Sequence, residues 1–419
     1  MGILQRAGYA FTSEPEEADV MIVNTCGFIN DAKKESIDTI FETATLKDGK
    51  LQGVVVTGCL SKRYKDVLFD EIPEADVFLG TENYHHIVEA VETAFRGERR
   101  TFFETENINY ENEDRVLTTY PHSAYIKIAE GCDNRCAYCA IPFIRGNYRS
   151  RTMESIVDEA KILVSRGVKE ITLIAQDTTQ YGVDIYGKAR LPELLKKVAA
   201  VKGVAWLRVL YSYPERVTDE LLETIYTTPN IVNYLDMPIQ HFSDSVLKAM
   251  NRKSSYASVT ALLKKLREHY PDMTLRTTLL VGFPGESKQD FDRLLKSVKE
   301  TEFDRLGCFA FSREEGTKAF DMPETVSEKE KEKRREKVMA AQADISLAKN
   351  KACIGETIRV IIDEYDDDIF MYIARSEACA PESDGKVYVS SPEPLKIGEF
   401  YDVIITNAEY HDLMGEINE

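Results

Sequence analysis

Between residues 19 and 95, short apolar runs alternate with longer segments in which apolar residues recur every three or four positions. The runs Asp19–Thr25, Gly53–Thr57 and Ala75–Leu79 predict buried strands, and Asp31–Ala44 and Asn83–Phe95 predict helices. The distinction rests on period, two residues in a strand against about 3.6 in a helix. Such alternation is the pattern of a parallel, doubly wound α/β sheet. Residues 96–121 are polar and irregular and predict a linker or an extended arm.

A second series begins at Ser123. Six strand-like runs follow, at Ala124–Ala129, Glu170–Ala175, Ala205–Tyr211, Val232–Met237, Thr274–Val281 and Arg305–Phe311. Helix-period segments separate them, among them Met153–Ser165, Leu191–Val201, Tyr256–His269 and Lys288–Lys299. Six βα units fall short of a closed eight-stranded barrel, so an open partial (βα)6 barrel is expected, with chemistry at the C-terminal strand ends. Ser327–Lys351 alternates acids with bases and predicts a solvated connecting helix. Beyond it, Thr357–Ile362, Ile369–Ala374, Lys386–Val389 and Tyr401–Ile405 predict a small OB-like β-barrel. The expected division is a first α/β domain at 1–96, a linker at 97–121, the partial barrel at 122–325, the connecting helix at 326–352 and the β-barrel at 353–419.

Charge sharpens the picture of the last domain. The chain carries 53 basic and 71 acidic side chains, a net of −18. From Cys353 onward 16 acids face four bases, a net of −12. An acidic module repels phosphate backbones and attracts basic partners, which argues against direct nucleic-acid binding; the plainer reading is solubility alone. No run of apolar residues is long enough to span a membrane. Met1–Tyr9 shows neither the apolar core nor the cleavage signal expected of a leader, and Arg6 stands where a myristoylation signal would place Ser or Thr. Eight cysteines in a chain of 419 residues fit a reducing, cytoplasmic compartment better than a disulfide framework.

Three of those cysteines stand together, as Cys132-Asp-Asn-Arg-Cys136-Ala-Tyr-Cys139. Three thiolates can each take one iron of a [4Fe–4S] cube and leave the fourth iron open to a small molecule. A structural zinc site would use a fourth Cys or His at short spacing, and the next are His241 and Cys308. Cys26 and Cys59 each end a predicted strand, in Asn24-Thr-Cys-Gly27 and Thr57-Gly-Cys59. That is where open α/β sheets bind ligands. Two buried thiols without a ligand is the equal alternative, and a pair alone is too few for a cluster. Cys308, Cys353 and Cys379 have no ligand spacing.

The stretch Gly131-Cys-Asp-Asn-Arg-Cys-Ala-Tyr-Cys-Ala-Ile-Pro-Phe-Ile-Arg145-Gly-Asn-Tyr-Arg-Ser-Arg151 resembles the radical S-adenosylmethionine (radical SAM) superfamily, and within it the methylthiotransferases. Asn24-Thr-Cys-Gly27, Thr57-Gly-Cys59, Val281-Gly-Phe-Pro-Gly-Glu286 and Glu315-Gly-Thr317 are similar to the same family. The resemblance covers nearly the whole chain. It implies a methylthiotransferase domain, a radical SAM partial barrel and a C-terminal TRAM domain. It also implies two [4Fe–4S] clusters, the first on Cys132, Cys136 and Cys139, with S-adenosyl-L-methionine at its open iron. Tyr138 is then expected near the adenine, and Gln176 and Arg276 as further cofactor contacts; ordinary satisfied polar groups are the alternative.

In this family the second cluster takes three cysteines, of which Cys26 and Cys59 match the second and third. The first belongs to a Gly-Cys-x-x-Asn element, and this chain begins inside the helix that follows it, at Met1-Gly-Ile-Leu. The resemblance therefore implies that the first strand and first ligand are missing, leaving the second cluster incomplete. Val209-Leu-Tyr-Ser-Tyr-Pro-Glu-Arg216, Leu235-Asp-Met-Pro-Ile-Gln-His241 and Ala380-Pro-Glu-Ser-Asp-Gly385 resemble the RimO type, which modifies an aspartate β-carbon on small-subunit ribosomal protein twelve. A basic ribosomal protein is thus the expected partner, with the electron donor unknown. The MiaB type, acting on a tRNA adenosine, and a truncated, inactive iron–sulfur or interaction protein are the competing readings.

Overall fold

The structure is a computed structural model that describes residues 1–103 and 115–417; part of the expected linker, 104–114, lies outside the described residues. The chain forms two compact units. One comprises Met1–Val116 together with Gly131–Asn147 and Ser312–Asp321, and the other comprises Leu117–Glu130, Tyr148–Phe311 and Met322–Glu419.

In the first unit, strands β1 (Val20–Thr25), β2 (Gly53–Gly58), β3 (Val77–Leu79) and β4 (Arg100–Phe102) form one parallel sheet in chain order. Every residue of β2 is buried, so its neighbours alternate between two covered faces. Val54, Val56 and Phe78 pack with Ile40, Leu60 and Leu68 from the helices Asn30–Thr45 and Cys59–Glu71. Val55, Val77 and Leu79 face the other way, onto Leu4 of Gly2–Arg6 and Ile87, Ala90 and Val91 of Ile87–Phe95. Helices on both faces make the sheet doubly wound, as the alternation predicts. β4 is a difference, because it lies within the residues expected as linker. Only Phe102 carries an apolar signal there, and it is completely buried.

In the second unit, β5 (Ser123–Lys127) is followed by the short antiparallel pair β6 (Ala129–Glu130) and β7 (Arg149–Ser150). Then come β8 (Glu170–Ile174), β9 (Trp206–Val209), β10 (Tyr234–Asp236), β11 (Thr274–Val281) and β12 (Arg305–Ala310). β5-β8-β9 and β10-β11-β12 are parallel sheets, joined where the Leu207 amide donates to the Asn230 carbonyl and the Val232 amide to the Leu207 carbonyl. Six parallel strands in chain order make the open partial barrel. β11 shows how it is layered: Leu275, Leu279 and Val281 enter the core beneath the helices, while Arg276, Thr278 and Leu280 take the opposite side.

β13 (Thr357–Asp366), β14 (Met371–Ser376), β15 (Val387–Ser390), β16 (Phe400–Ala408) and β17 (Leu413–Ile417) close into a barrel in the order β13-β14-β15-β17-β16. β17 goes beyond the four predicted strands and supplies the closure. The turn Glu377–Asp384 of this small barrel sits against the inner side of the partial one. The Tyr125 hydroxyl of β5 donates to the Pro381 carbonyl at 3.0 Å, and Arg208 of β9 to the Glu377 carbonyl at 2.9 Å. Tyr234 of β10 donates to Asp384 at 2.6 Å, and Arg276 of β11 approaches the same carboxylate at 3.6 Å. Arg305 of β12 reaches the Cys379 sulfur at 3.6 Å. Glu170 of β8 pairs with Arg375 at 2.6 Å, and Arg375 with Asp363 at 2.6 Å. All six strands thus hold the C-terminal barrel.

The helix Glu328–Ala352 corrects the expectation of a solvated connector. One stripe of it is buried: Lys331, Arg334, Val338, Gln342, Ser346 and Asn350, spaced three and four apart. Each polar member has a partner, for example Glu324 for Lys331, Glu286 for Arg334 and the Phe303 carbonyl for Gln342. Hydropathy cannot reveal a buried face made of paired polar groups.

Candidate metal centre

The parallel ladder sets the first pair of cysteines. Thr25 lies opposite Gly58 in the β1–β2 register, so Cys26 and Cys59 leave the sheet from adjacent strand ends. Two glycines allow the loops to meet. Gly58 has φ +102°, and a side chain there would put Cβ 2.3 Å from the Thr25 carbonyl oxygen. A Cβ on Gly27 would lie 2.7 Å from the Leu60 amide. The Thr25 hydroxyl donates to the Thr57 carbonyl at 2.6 Å, and Ser36 Oγ bonds both the amide and the carbonyl of Cys26. Cys26 is exposed and Cys59 half-buried.

The second set lies on Gly131–Asn147. Its ends are drawn together by Gly131, φ +81°, whose missing side chain leaves room for the Asn147 carbonyl 2.1 Å from the Cβ position. The Cys132 amide donates to the Gly146 carbonyl at 3.2 Å and the Cys139 amide to the Cys136 carbonyl at 3.0 Å. Cys132 is buried, and Cys136, Tyr138 and Cys139 are half-buried. Burial pushes the Cys139 thiol up to about 12, and the neighbouring Cys136 and Cys132 add to the shift. A thiol held protonated in this way yields its proton to a metal. Three thiols within eight residues suit iron–sulfur ligation. Among the described residues no three His, Cys, Asp or Glu side chains converge on the position of one metal ion. A cubane asks for no such point, because each thiolate takes a different iron.

Both sets belong to the first unit, and one side chain joins them. Arg145, six residues past Cys139, donates from Nη2 to the Cys59 sulfur at 3.2 Å. A third segment, Ser312–Asp321, completes the frame. Glu314, almost wholly buried, accepts from Lys33 and Arg63 at 2.9 Å each, and Arg63 also donates to the Gly27 carbonyl at 2.7 Å. The Ala319 amide donates to the Ala137 carbonyl at 2.8 Å, inside the triad. Burial pushes the Glu314 carboxyl up, but hydrogen bonds from Lys33, Ser312 and Arg63 outweigh it and hold its pKa below the ordinary value. Glu314→Ala should cost about 3 kcal/mol, since it strands two cations at the Cys26 and Cys59 loops; urea denaturation against the parent chain measures it.

Gln176 and Arg276 belong to the second unit. Gln176 is half-buried just past β8, and its Oε1 is buried with no hydrogen-bond partner among the described residues. Arg276 is tied to Asp236 at 3.2 Å and to Asp384. Reasoning from sequence passed over Arg145, Glu314, Lys33 and Arg63. Glu314 directly precedes the quoted Glu315-Gly-Thr317, which was the available signal; nothing marked the two N-terminal cations.

Comparison with known proteins bears on the whole chain. Residues 1–80 match the model described as Uncharacterized protein family UPF0004, 126–298 the Radical SAM superfamily and 354–417 the TRAM domain. A protein of Acetivibrio thermocellus named ribosomal protein uS12 methylthiotransferase RimO is 45% identical over 425 residues, covering 100% of this chain and 94% of its own. Its namesake in Clostridioides difficile is 48% identical over 421 residues, with the same coverage. The chain belongs to the RimO family. Fold likeness agrees: the radical S-adenosylmethionine methyltransferase TsrM from Kitasatospora setae, solved with cobalamin and a [4Fe–4S] cluster, superposes with a TM-score of 0.53 at 14% identity. That match covers 70% of this chain and 64% of TsrM, and at such identity it speaks for fold alone. The loop that carries Cys132, Cys136 and Cys139 lies within the residues matched to the Radical SAM superfamily.

Proposed function

We propose that this chain transfers a methylthio group to the β-carbon of an aspartate on ribosomal protein uS12. One observation carries the reading: RimO proteins named for that reaction are 45–48% identical to this chain along its whole length. Cys132, Cys136 and Cys139 would hold a [4Fe–4S] cluster with one iron left for S-adenosyl-L-methionine. A cluster held there would supply the one-electron chemistry needed to make an unactivated C–H bond reactive. The protein's part is to hold and enclose: the Gly131–Asn147 neck fixes the loop, and burial of Cys132 keeps water from the metal edge. Tyr138 lies between Cys136 and Cys139 in the same loop.

Cys26 and Cys59 offer two thiolates to a second cluster, one fewer than the triad, so they hold it only with a further ligand. The net charge of −12 beyond Cys353 favours a basic protein over tRNA, whose phosphates that module would repel. No described helix is long and apolar enough to cross a membrane; a ribosomal substrate would place the reaction in the cytoplasm. The test is the mass of uS12 from cells that lack this gene. The methylthio increment should disappear. Its retention, or loss of a methylthio-adenosine from tRNA instead, would overturn the reading.

A further inference from the structure

The turn between β13 and β14 displays apolar surface that the fold does not use. Phe370 is 77% exposed, more than any other large apolar side chain among the described residues. Ile369 is 48% exposed and Tyr365 42%, and the Tyr365 ring rests on Tyr372 from the facing strand, 4.8 Å between centroids. Phe370 also adopts φ +54°, a conformation that a bulky residue rarely takes. A connection that only had to join two strands would place Gly, Asn or Asp there. An aromatic held into water on the most acidic domain is instead the form of a binding anchor.

Charge selects the occupant. Asp367 and Asp368 are exposed beside the aromatic patch, while Asp366 caps the turn by accepting from the Asp368 and Ile369 amides. We propose that Tyr365, Ile369 and Phe370, flanked by Asp367 and Asp368, form a docking element for a lysine- and arginine-rich segment of the protein substrate. The stem of a lysine or arginine lies along the aromatic rings, its charged head reaches the carboxylates, and the cation–π and ionic attractions act together. A nucleic acid could stack on the same rings, but its phosphates would meet two carboxylates on a module of net −12. The choice of uS12 as partner rests on the function proposed above; the chemistry of the docking element does not.

The full chain is compared with Phe370→Ser and with Asp367→Asn/Asp368→Asn; Ile397→Ser, a 40% exposed apolar residue elsewhere on the small barrel, is the control. Two measurements are made: steady-state methylthiolation of purified uS12, and equilibrium binding of a synthetic lysine-rich peptide by the same proteins. Phe370→Ser should raise KM for uS12 about tenfold with kcat kept. The double Asn variant should flatten the salt dependence of KM, and Ile397→Ser should change neither. A KM for Phe370→Ser within about twofold of the parent overturns the docking element while leaving the proposed function intact. Should the parent fail to modify uS12, the proposed function falls and peptide binding decides the docking element separately. Peptide bound by the parent and lost in Phe370→Ser supports it; equal binding or no binding overturns it.

Discussion

Cys139→Ala is expected to give a protein that folds, carries about four fewer irons per chain and no longer cleaves S-adenosyl-L-methionine. Two thiolates cannot hold a cubane that relies on three, so the whole cluster goes with one ligand. Folding survives because the loop is shaped by other contacts: the close approach of Gly131 to Asn147, the Cys132 amide bonded to Gly146, and the Ala319–Ala137 hydrogen bond. Iron analysis and cofactor-cleavage assays on anaerobic protein read the two effects, and cleavage should fall by more than about a thousandfold. Cys308→Ala is the matched control, since that thiol is buried in the apolar core of the partial barrel. Undiminished iron in Cys139→Ala would remove the triad from its assigned role.

Arg375→Ala should cost about 3–5 kcal/mol of stability, the largest single loss outside the metal centre. Arg375 lies between Glu170 and Asp363, and the chain of pairs extends to Arg208 on one side and His122 on the other. All five side chains are at most 4% exposed. Burial alone would lower the pKa of Arg375; Glu170 and Asp363 more than reverse this and raise it. Removing the guanidinium leaves two buried carboxylates without their shared cation. Acid should have a related effect on the parent chain. Burial pushes Asp363 up, yet hydrogen bonds from His122 and Arg375 bring it below its ordinary value. Its unfolded form therefore takes up a proton more readily than its folded form. The stability it contributes is present above about pH 4 and is lost as pH falls through the folded pKa. In Arg375→Ala that acid-labile part should shrink, which urea midpoints measured from pH 3 to 7 would show.

Elements with a strong apolar period are the most legible part of the chain. Thr274–Val281 was bounded to the residue, and so were the helices Met153–Ser165 and Tyr256–His269, because their apolar periods are strong and their ends carry caps such as Ser255. The close spacing of Cys132, Cys136 and Cys139 is plain in the sequence. What escaped had no apolar period to show. β4 has a single buried residue, and the helix Cys59–Glu71 bends at Lys65, which takes φ +36° and interrupts its period. The buried stripe of Glu328–Ala352 is written in Lys, Arg, Gln, Ser and Asn. The frame of the metal centre depends on contacts between Glu314, Lys33 and Arg63, about 280 and 250 residues apart, which no local pattern encodes.

The six-strand grip on Arg375 and the turn Glu377–Asp384 limits how such enzymes can be recombined. A module that merely trails a barrel can be exchanged between relatives at the joining helix. Here Tyr125, Arg208, Tyr234, Arg276 and Arg305 find acceptors in the C-terminal domain, and Glu170 accepts from its Arg375. A chimaera that imports a foreign C-terminal domain would leave several of these side chains buried with nothing to bond. Its barrel would be the casualty of a change made to its neighbour, so retargeting has to proceed by grafting surface turns onto the resident domain.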